Sequence, residues 1–253
     1  MLTSTAFSQN IYRALEGNFE YQSMTSSAGV RFSPTKETAL DPALRALARS
    51  LPRSSPGVVM MAEVPGPVGV PDLLALPGSG ARLARRLNSR IPPILREIDI
   101  EIVAALNPRQ GLTVETIKSR VGRSDRAVSQ GLRNLSETGA VLTRGGLFYR
   151  AESLEPVGNI YALEAKVDDW RKGVRQAFRY RAWCNASALV LSRMPKNREP
   201  LISAAHRLNI GLACEDQWIV RPKICKLDRA NRLRGSEHFV AALSFSPVRY
   251  PQP

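Results

Sequence analysis

The chain has 253 residues, enough for one sizeable core or two modest ones. It carries 36 Lys and Arg against 22 Asp and Glu, a formal net charge of +14, and an excess of this size favours a polyanionic partner, most often nucleic acid. No stretch approaches the roughly 18 apolar residues of a membrane span, and the first residues lack a basic segment leading into an apolar one, so a cytoplasmic protein with no membrane partner is expected.

Residues 1–35 are rich in Ser, Thr, Gln and Asn, with scattered apolar anchors such as Phe7, Ile11 and Tyr12, and read as a tail or docked segment. Leu40, Leu44, Leu47, Ala48 and Leu51 recur at helical spacing and predict a helix from Thr38 to Leu51. Val58–Val64 and Val70–Leu76 are β-rich runs separated by Pro65-Gly66-Pro67. They predict a hairpin with Asp72 inside its second strand.

The character changes over residues 86–150. Ile94, Leu95, Ile98, Ile102 and Leu106 mark one helix. Thr113 can cap a second that Gly122 ends, and Ser124 a third that Gly139 ends. Ala140–Arg150 then reads as a hairpin turning at Gly145-Gly146. Three helices and a β-ribbon predict a winged helix-turn-helix. Its third helix exposes Arg126, Ser129, Gln130, Arg133 and Asn134, the residue types that read guanine and adenine edges in the major groove, with Arg144 at the wing tip within reach of phosphate. A protein-interaction module is the competing use of such a domain.

Beyond it, Ile160–Lys166 reads as a strand ending on Glu164 and Lys166. Side chains two apart on a strand share a face. A carboxylate and an ammonium so placed can hold a divalent metal and orient a water beside it, which suits phosphodiester hydrolysis; the plainer reading is a surface ion pair on an edge strand. A helix is expected from Asp168 to Trp183, a strand over Ala188–Leu191, a helix over Glu199–Leu208, a strand at Trp218–Val220 and a closing helix over Ser236–Leu243. Lys172, Arg175 and Arg179 recur at three- and four-residue spacing on the first of these helices, with no acid between Arg171 and Arg181, a stripe that can track a phosphate backbone.

The order of these elements, Pro71-Asp72, Glu164-Ala165-Lys166 and Gln176-Ala177-Phe178-Arg179-Tyr180 together resemble the PD-(D/E)XK nuclease superfamily, with the Q-x-x-x-Y motif of its RecB-like branch. The resemblance implies an α/β fold with a restriction-endonuclease-like αβββαβ core and mixed sheet. That core would be split into residues 36–85 and 151–253 by an inserted winged helix domain at 86–150. It also implies that Asp72, Glu164 and the carbonyl of Ala165 bind Mg²⁺ or Mn²⁺, that Lys166 positions or deprotonates the attacking water, and that Gln176 and Tyr180 line the groove. Glu63, at the end of the preceding strand, is a candidate further carboxylate, or an ordinary solvated charge beside a turn. Where the family places the Asp and the E-x-K on adjacent strands, here about ninety residues separate them, and an inserted domain whose ends lie close together accounts for the gap.

The expected function is metal-dependent hydrolysis of duplex DNA by an endonuclease. The alternative is a non-catalytic DNA-binding regulator on a nuclease-like scaffold. RNA or a single strand remains a third substrate, although aromatic residues make up only 6% of the chain, and a homodimer that cuts both strands is left open. Cys184, Cys214 and Cys225 show no C-x-x-C spacing and are expected to be buried free thiols. With His206 and His238 they match no common zinc module, and no phosphate-binding G-x-x-x-x-G-K-[ST] sequence occurs.

Overall fold

The computed structural model describes Gln22–Met24 and residues 37–245. It is an α/β protein with a six-strand mixed sheet and a small separate hairpin. The sheet comprises β2 (Val58–Ala62), β3 (Leu73–Pro77), β6 (Tyr161–Lys166), β7 (Ala186–Leu191), β8 (Gly211–Cys214) and β9 (Gln217–Val220), side by side in that order. A three-residue strand, β1 (Gln22–Met24), extends it by pairing parallel to β2. The rest of the segment expected to be a tail, with Phe7, Ile11 and Tyr12, lies outside the described residues.

The pairing of β3 with β6 positions the site. The hairpin runs from Val58↔Pro77 to Ala62↔Leu73, and β3 then pairs antiparallel with β6 from Ala75↔Tyr161 to Leu73↔Leu163. Residues 78–160 therefore leave and rejoin the sheet at neighbouring points, which keeps the two strands paired across a long excursion. From β6 onward the sheet is parallel through β7 and β8, with helices as crossovers, and β9 turns back antiparallel. β6 is thus an interior strand.

Both faces of the sheet are covered, so its strands read as nearly continuous apolar runs. On one face, α1 (Asp41–Arg49) brings Leu44, Leu47 and Ala48 onto Met60, Leu73, Ala75, Leu163 and Ala165. On the other, Met61, Leu74, Leu76 and Ala162 pack with Tyr180, Trp183 and Phe239. The second face is closed by α6 (Trp170–Tyr180), α7 (Glu199–Leu208) and the long α8 (Arg229–Phe245).

The excursion begins with a helix that the sequence does not announce, α2 (Gly80–Asn88). Its start, Pro77-Gly78-Ser79-Gly80, has the composition of a loop, which hides it from periodicity. Then come α3 (Glu97–Ala105), α4 (Val114–Val121), α5 (Asp125–Glu137) and the hairpin β4 (Val141–Arg144) and β5 (Leu147–Arg150). Thr113 and Ser124 accept cap hydrogen bonds from the amides of Thr116 and Ala127. Gly145 and Gly146 both take positive φ (54° and 76°), which a two-residue hairpin turn requires. Ile100, Ile117, Val128, Leu132 and Val141 form a core of their own, joined by Leu233 from α8.

This helical segment is clamped to the sheet layer by a buried ion pair. The Arg86 guanidinium, on α2, donates to both oxygens of Glu237, on α8, at 2.8 and 2.6 Å, and both residues are 1% exposed. Glu237 also accepts from the Ile94 amide, and Arg86 donates to the Ile91 carbonyl. Leaving one partner of such a pair buried alone costs about 3–5 kcal/mol.

Several boundaries differ from expectation. Asp72 lies just before β3, because Pro71 has no N–H to join the ladder and the strand starts after it. The helix expected over Asp168–Trp183 spans Trp170–Tyr180, and β8 was not expected because Gly211-Leu212-Ala213-Cys214 is too short and too weakly β-forming to stand out. All three cysteines are free, but only Cys184 is buried; Cys214 and Cys225 are half-buried. His206 sits on the outer face of α7 and is exposed.

A candidate carboxylate and lysine centre

The centre forms where the β3–β6 ladder stops. One step beyond Leu73↔Leu163, the Asp72 side chain takes over from the backbone, its Oδ2 accepting from the Ala165 amide at 2.6 Å. This hydrogen bond spans 93 residues of sequence and ties the first carboxylate to the middle of Glu164-Ala165-Lys166. Glu164 and Lys166 point to one side of β6, as alternation requires. Their charged ends meet at 2.9 Å, Lys166 Nζ to Glu164 Oε1, and the residues are 1% and 4% exposed. An interior strand and this depth of burial exclude the surface ion pair.

The helix above supplies the remaining partners. Asp169 caps α6 by accepting from the Lys172 amide. Gly173 lets the helix settle onto the sheet: a Cβ there would come within 2.4 Å of Leu189 and 2.9 Å of the Lys166 stem. Two turns on, the Tyr180 hydroxyl lies 2.7 Å from Glu164 Oε2 and 3.0 Å from the Val70 carbonyl. A phenol has one proton to give, and the charged acceptor holds it more strongly. Tyr180 is therefore both a core residue, 2% exposed, and a partner of the site. Gln176, one turn earlier on the same helix, is half-buried and keeps its side-chain carbonyl oxygen buried without a hydrogen-bond partner.

Burial dominates the electrostatics of the centre, with the close approach of its carboxylates as the second influence. Burial and the neighbouring Glu164 carboxylate push Asp72 up to about 7, against the opposing pull of the Ala165 amide and the Lys166 ammonium. Burial likewise raises Glu164, offset by Lys166 and by the Tyr180 hydroxyl. Burial works against the Lys166 charge, but Glu164, Asp72 and Glu37 outweigh it and hold the ammonium above its ordinary value. Tyr180 is raised strongly, by burial first and then by Glu164.

Lys166 is the cation of this centre as it stands. Its ammonium touches Glu164 Oε1, the Ala165 carbonyl at 2.8 Å and Glu37 Oε1 at 3.3 Å. Glu37 does not stand out in the sequence, because an acid just ahead of a helix has a sufficient reason in the helix dipole. Among the described residues no three His, Cys, Asp or Glu side chains converge as a ready metal cage. The donors that do converge are the carboxylates of Asp72 and Glu164 and the carbonyl of Ala165. Three hard oxygens fit Mg²⁺, which keeps several waters of its own. Two of these groups, Glu164 Oε1 and the Ala165 carbonyl, also accept from the Lys166 ammonium. The elevated Asp72 pKa reflects burial first and the neighbouring Glu164 carboxylate second.

The other candidate residues lie elsewhere. Glu63 lies just after β2 in a left-handed conformation (φ 50°) with an exposed side chain, and its amide donates to the Asp72 carbonyl at 3.2 Å, so it braces Asp72 through the backbone. Arg126, Ser129, Gln130 and Arg133 are exposed on α5, where Gln130 is hydrogen-bonded to the half-buried Asn134. Arg144 is exposed at the end of β4 with its guanidinium over the Tyr149 ring. Lys172, Arg175 and Arg179 are exposed along α6, the helix that covers Lys166. Arg181 is drawn inward by the Leu208 carbonyl and the Cys225 sulfur. Among the described residues no helix is long and apolar enough to cross a membrane. Comparison with protein-family models, with curated proteins and with solved structures found no significant match in any of the three.

Proposed function

We propose that the chain is a metal-dependent DNA endonuclease of the PD-(D/E)XK type, with a restriction-endonuclease-like core and an inserted winged helix. The observation that carries this reading is the hydrogen bond from the Ala165 amide to Asp72 Oδ2, which unites the PD and E-x-K elements across 93 residues. The succession of helix, hairpin, E-x-K strand, helix and parallel strand supports the same reading.

In that role Asp72, Glu164 and the Ala165 carbonyl hold Mg²⁺ or Mn²⁺. The ion, when bound, polarises the phosphoryl oxygen and lowers the pKa of a bound water. Lys166 orients the attacking water or stabilises charge developing on the phosphate. Tyr180 keeps Glu164 pointed into the site through its hydroxyl. Arg175, Arg179 and Lys172 offer cations to the backbone of the strand being cut, and the exposed face of α5 with Arg144 grips the duplex at a distance.

One observation favours the alternative, a DNA-binding regulator on a nuclease-like scaffold. Lys166 already occupies oxygens that an ion would need. The two readings separate in a single experiment. Purified protein is incubated with supercoiled, linear and single-stranded DNA, with Mg²⁺ or Mn²⁺ and with chelator, and binding is measured in parallel. Nicking or linearisation that needs the metal and is lost in Glu164→Gln supports the enzyme. Tight binding with no cleavage of any DNA form sinks the enzyme and leaves the regulator.

A further inference from the structure

Phe178, 46% exposed, is the only exposed aromatic among the described side chains. It stands on α6 in the midst of cations. Arg171, Arg175 and Phe178 lie at i, i+4 and i+7 and so share one stripe of the helix, with Lys172 and Arg179 beside them, all five exposed. No acid interrupts the helix, and the two that precede it are engaged, Asp168 with Arg193 and Asp169 as the cap. Among the described residues Arg171, Arg175 and Arg179 take part in no ion pair, which sets them apart from Arg86, Arg123 and Arg150. The face is therefore complementary in charge to a polyanion.

The Phe178 ring is backed as well as exposed. The Arg181 guanidinium lies over it, 5.9 Å from the ring centroid, and is itself held by the Leu208 carbonyl and the Cys225 sulfur. A lone apolar side chain on a surface is ordinary. A ring backed by an anchored guanidinium and flanked by further arginines is the composition of a stacking platform, where bases lie on an aromatic face and cations follow the backbone. The α5 face differs: it exposes Ser129 and Gln130 with its arginines and no aromatic ring. In a duplex the base faces are closed by stacking, and only edges and phosphates are presented. A phenyl ring on the outer face of a helix meets a base face only in an unpaired strand.

We propose that the outer face of α6 binds single-stranded DNA, with an unpaired base stacked on Phe178 and the flanking phosphates on Arg171, Arg175 and Arg179. The opposite face of α6 lies on the carboxylate centre, through Gly173 against Lys166 and Tyr180 against Glu164. The strand held outside is thus about one helix diameter, roughly 10 Å, from the centre, and is the length of strand leading to it or away from it. This inference rests on the nucleic-acid ligand of the reading above and not on cleavage.

Fluorescence anisotropy on the full chain tests it in the presence of chelator, where no metal-dependent cutting intervenes. The probe is a fluorescein-labelled DNA oligonucleotide of mixed sequence, single-stranded or annealed to its complement. Phe178→Ala should weaken single-strand binding by about tenfold or more, the scale of one lost stacking contact, and change duplex binding by less than about twofold. Phe178→Trp should keep the parental affinity, whereas Phe178→Leu, which is apolar but has no π-face, should bind as weakly as Phe178→Ala. Arg175→Gln should lower the slope of log affinity against log salt for the single strand by about 0.7. Since Phe178 is exposed, all of these variants should melt within a few degrees of the parent, a control on folding. The proposal is overturned if the parent does not bind the single strand, if Phe178→Ala or Phe178→Leu binds it as the parent does, or if Phe178→Ala weakens single strand and duplex by the same factor. Absence of cleavage with metal removes the enzyme and leaves these affinities standing. Cleavage that persists while single-strand affinity ignores Phe178 overturns this inference alone.

Discussion

Lys166 and Arg133 are both cations on regular secondary structure, yet their surroundings differ in kind. Lys166 is 4% exposed, on an interior strand, and every contact of its ammonium is to a carboxylate or a carbonyl. Arg133 is exposed on α5 beside other exposed polar residues. A buried charge must be compensated by its neighbours, so its position is determined by the fold. An exposed charge is compensated by water, so its position is set only by which face of its helix turns outward. The carboxylate centre is therefore a rigid constellation, whereas the α5 face is a field of independent contacts.

Substitutions at the two regions should accordingly fail differently. The largest effect is expected at Lys166. Lys166→Ala removes the cation shared by Glu164, the Ala165 carbonyl and Glu37, and cleavage should fall by about a hundredfold or more, the scale of a lost preorganised charge. Duplex affinity, measured by fluorescence anisotropy, should stay within about twofold, since the exposed arginines are untouched. Cleavage at the parental rate would break the distinction between the regions.

A smaller and more diagnostic effect concerns pH. A carboxyl raised in the folded state contributes its full stability below its ordinary pKa and loses it as pH rises through the folded value. For Asp72 that window runs from 3.8 to about 7, and the upward shift of Glu164 acts in the same direction. The melting temperature of metal-free protein should fall as pH is raised across this window. Mg²⁺ should flatten the fall by placing a positive charge beside the buried carboxylates, and Asp72→Asn should remove part of it. A metal-free profile as flat as that of Asp72→Asn would show that its buried surroundings do not raise Asp72.

The smallest effects belong to the exposed face. Arg126→Ala or Arg133→Ala should change stability by no more than about 0.5 kcal/mol, as for most surface substitutions. Each should lower the slope of log affinity against log salt by about 1 if it meets a phosphate. An unchanged slope in the double variant would assign α5 to protein contact and leave α6 as the nucleic-acid face.

Much of the outline is legible in the amino-acid sequence. The caps at Thr113 and Ser124, the glycine stops at Gly122 and Gly139 and the turn at Gly145-Gly146 are local signals, readable because they depend on one residue and its near neighbours. The same holds for Glu164 and Lys166 on one face of a strand. Glu37 is not legible there, because its ion pair with Lys166 depends on how α1 lies against the sheet. The backing of Phe178 is hidden for the same reason: helical spacing sets the stripe it shares with Arg175, but Arg181 lies over its ring where Leu208 and Cys225, from other segments, hold that guanidinium.

By itself the sequence determined the alternation of Glu164 with Lys166, the helical spacing of Gln176 with Tyr180, the apolar strands and the basic surface, since backbone geometry dictates each over a few residues. Only the tertiary structure decided that β3 and β6 are neighbours, and so that Asp72 meets Ala165 after an excursion of more than eighty residues. Strand pairing is chosen by the burial of whole faces, a property of the assembled sheet that no short window of sequence contains.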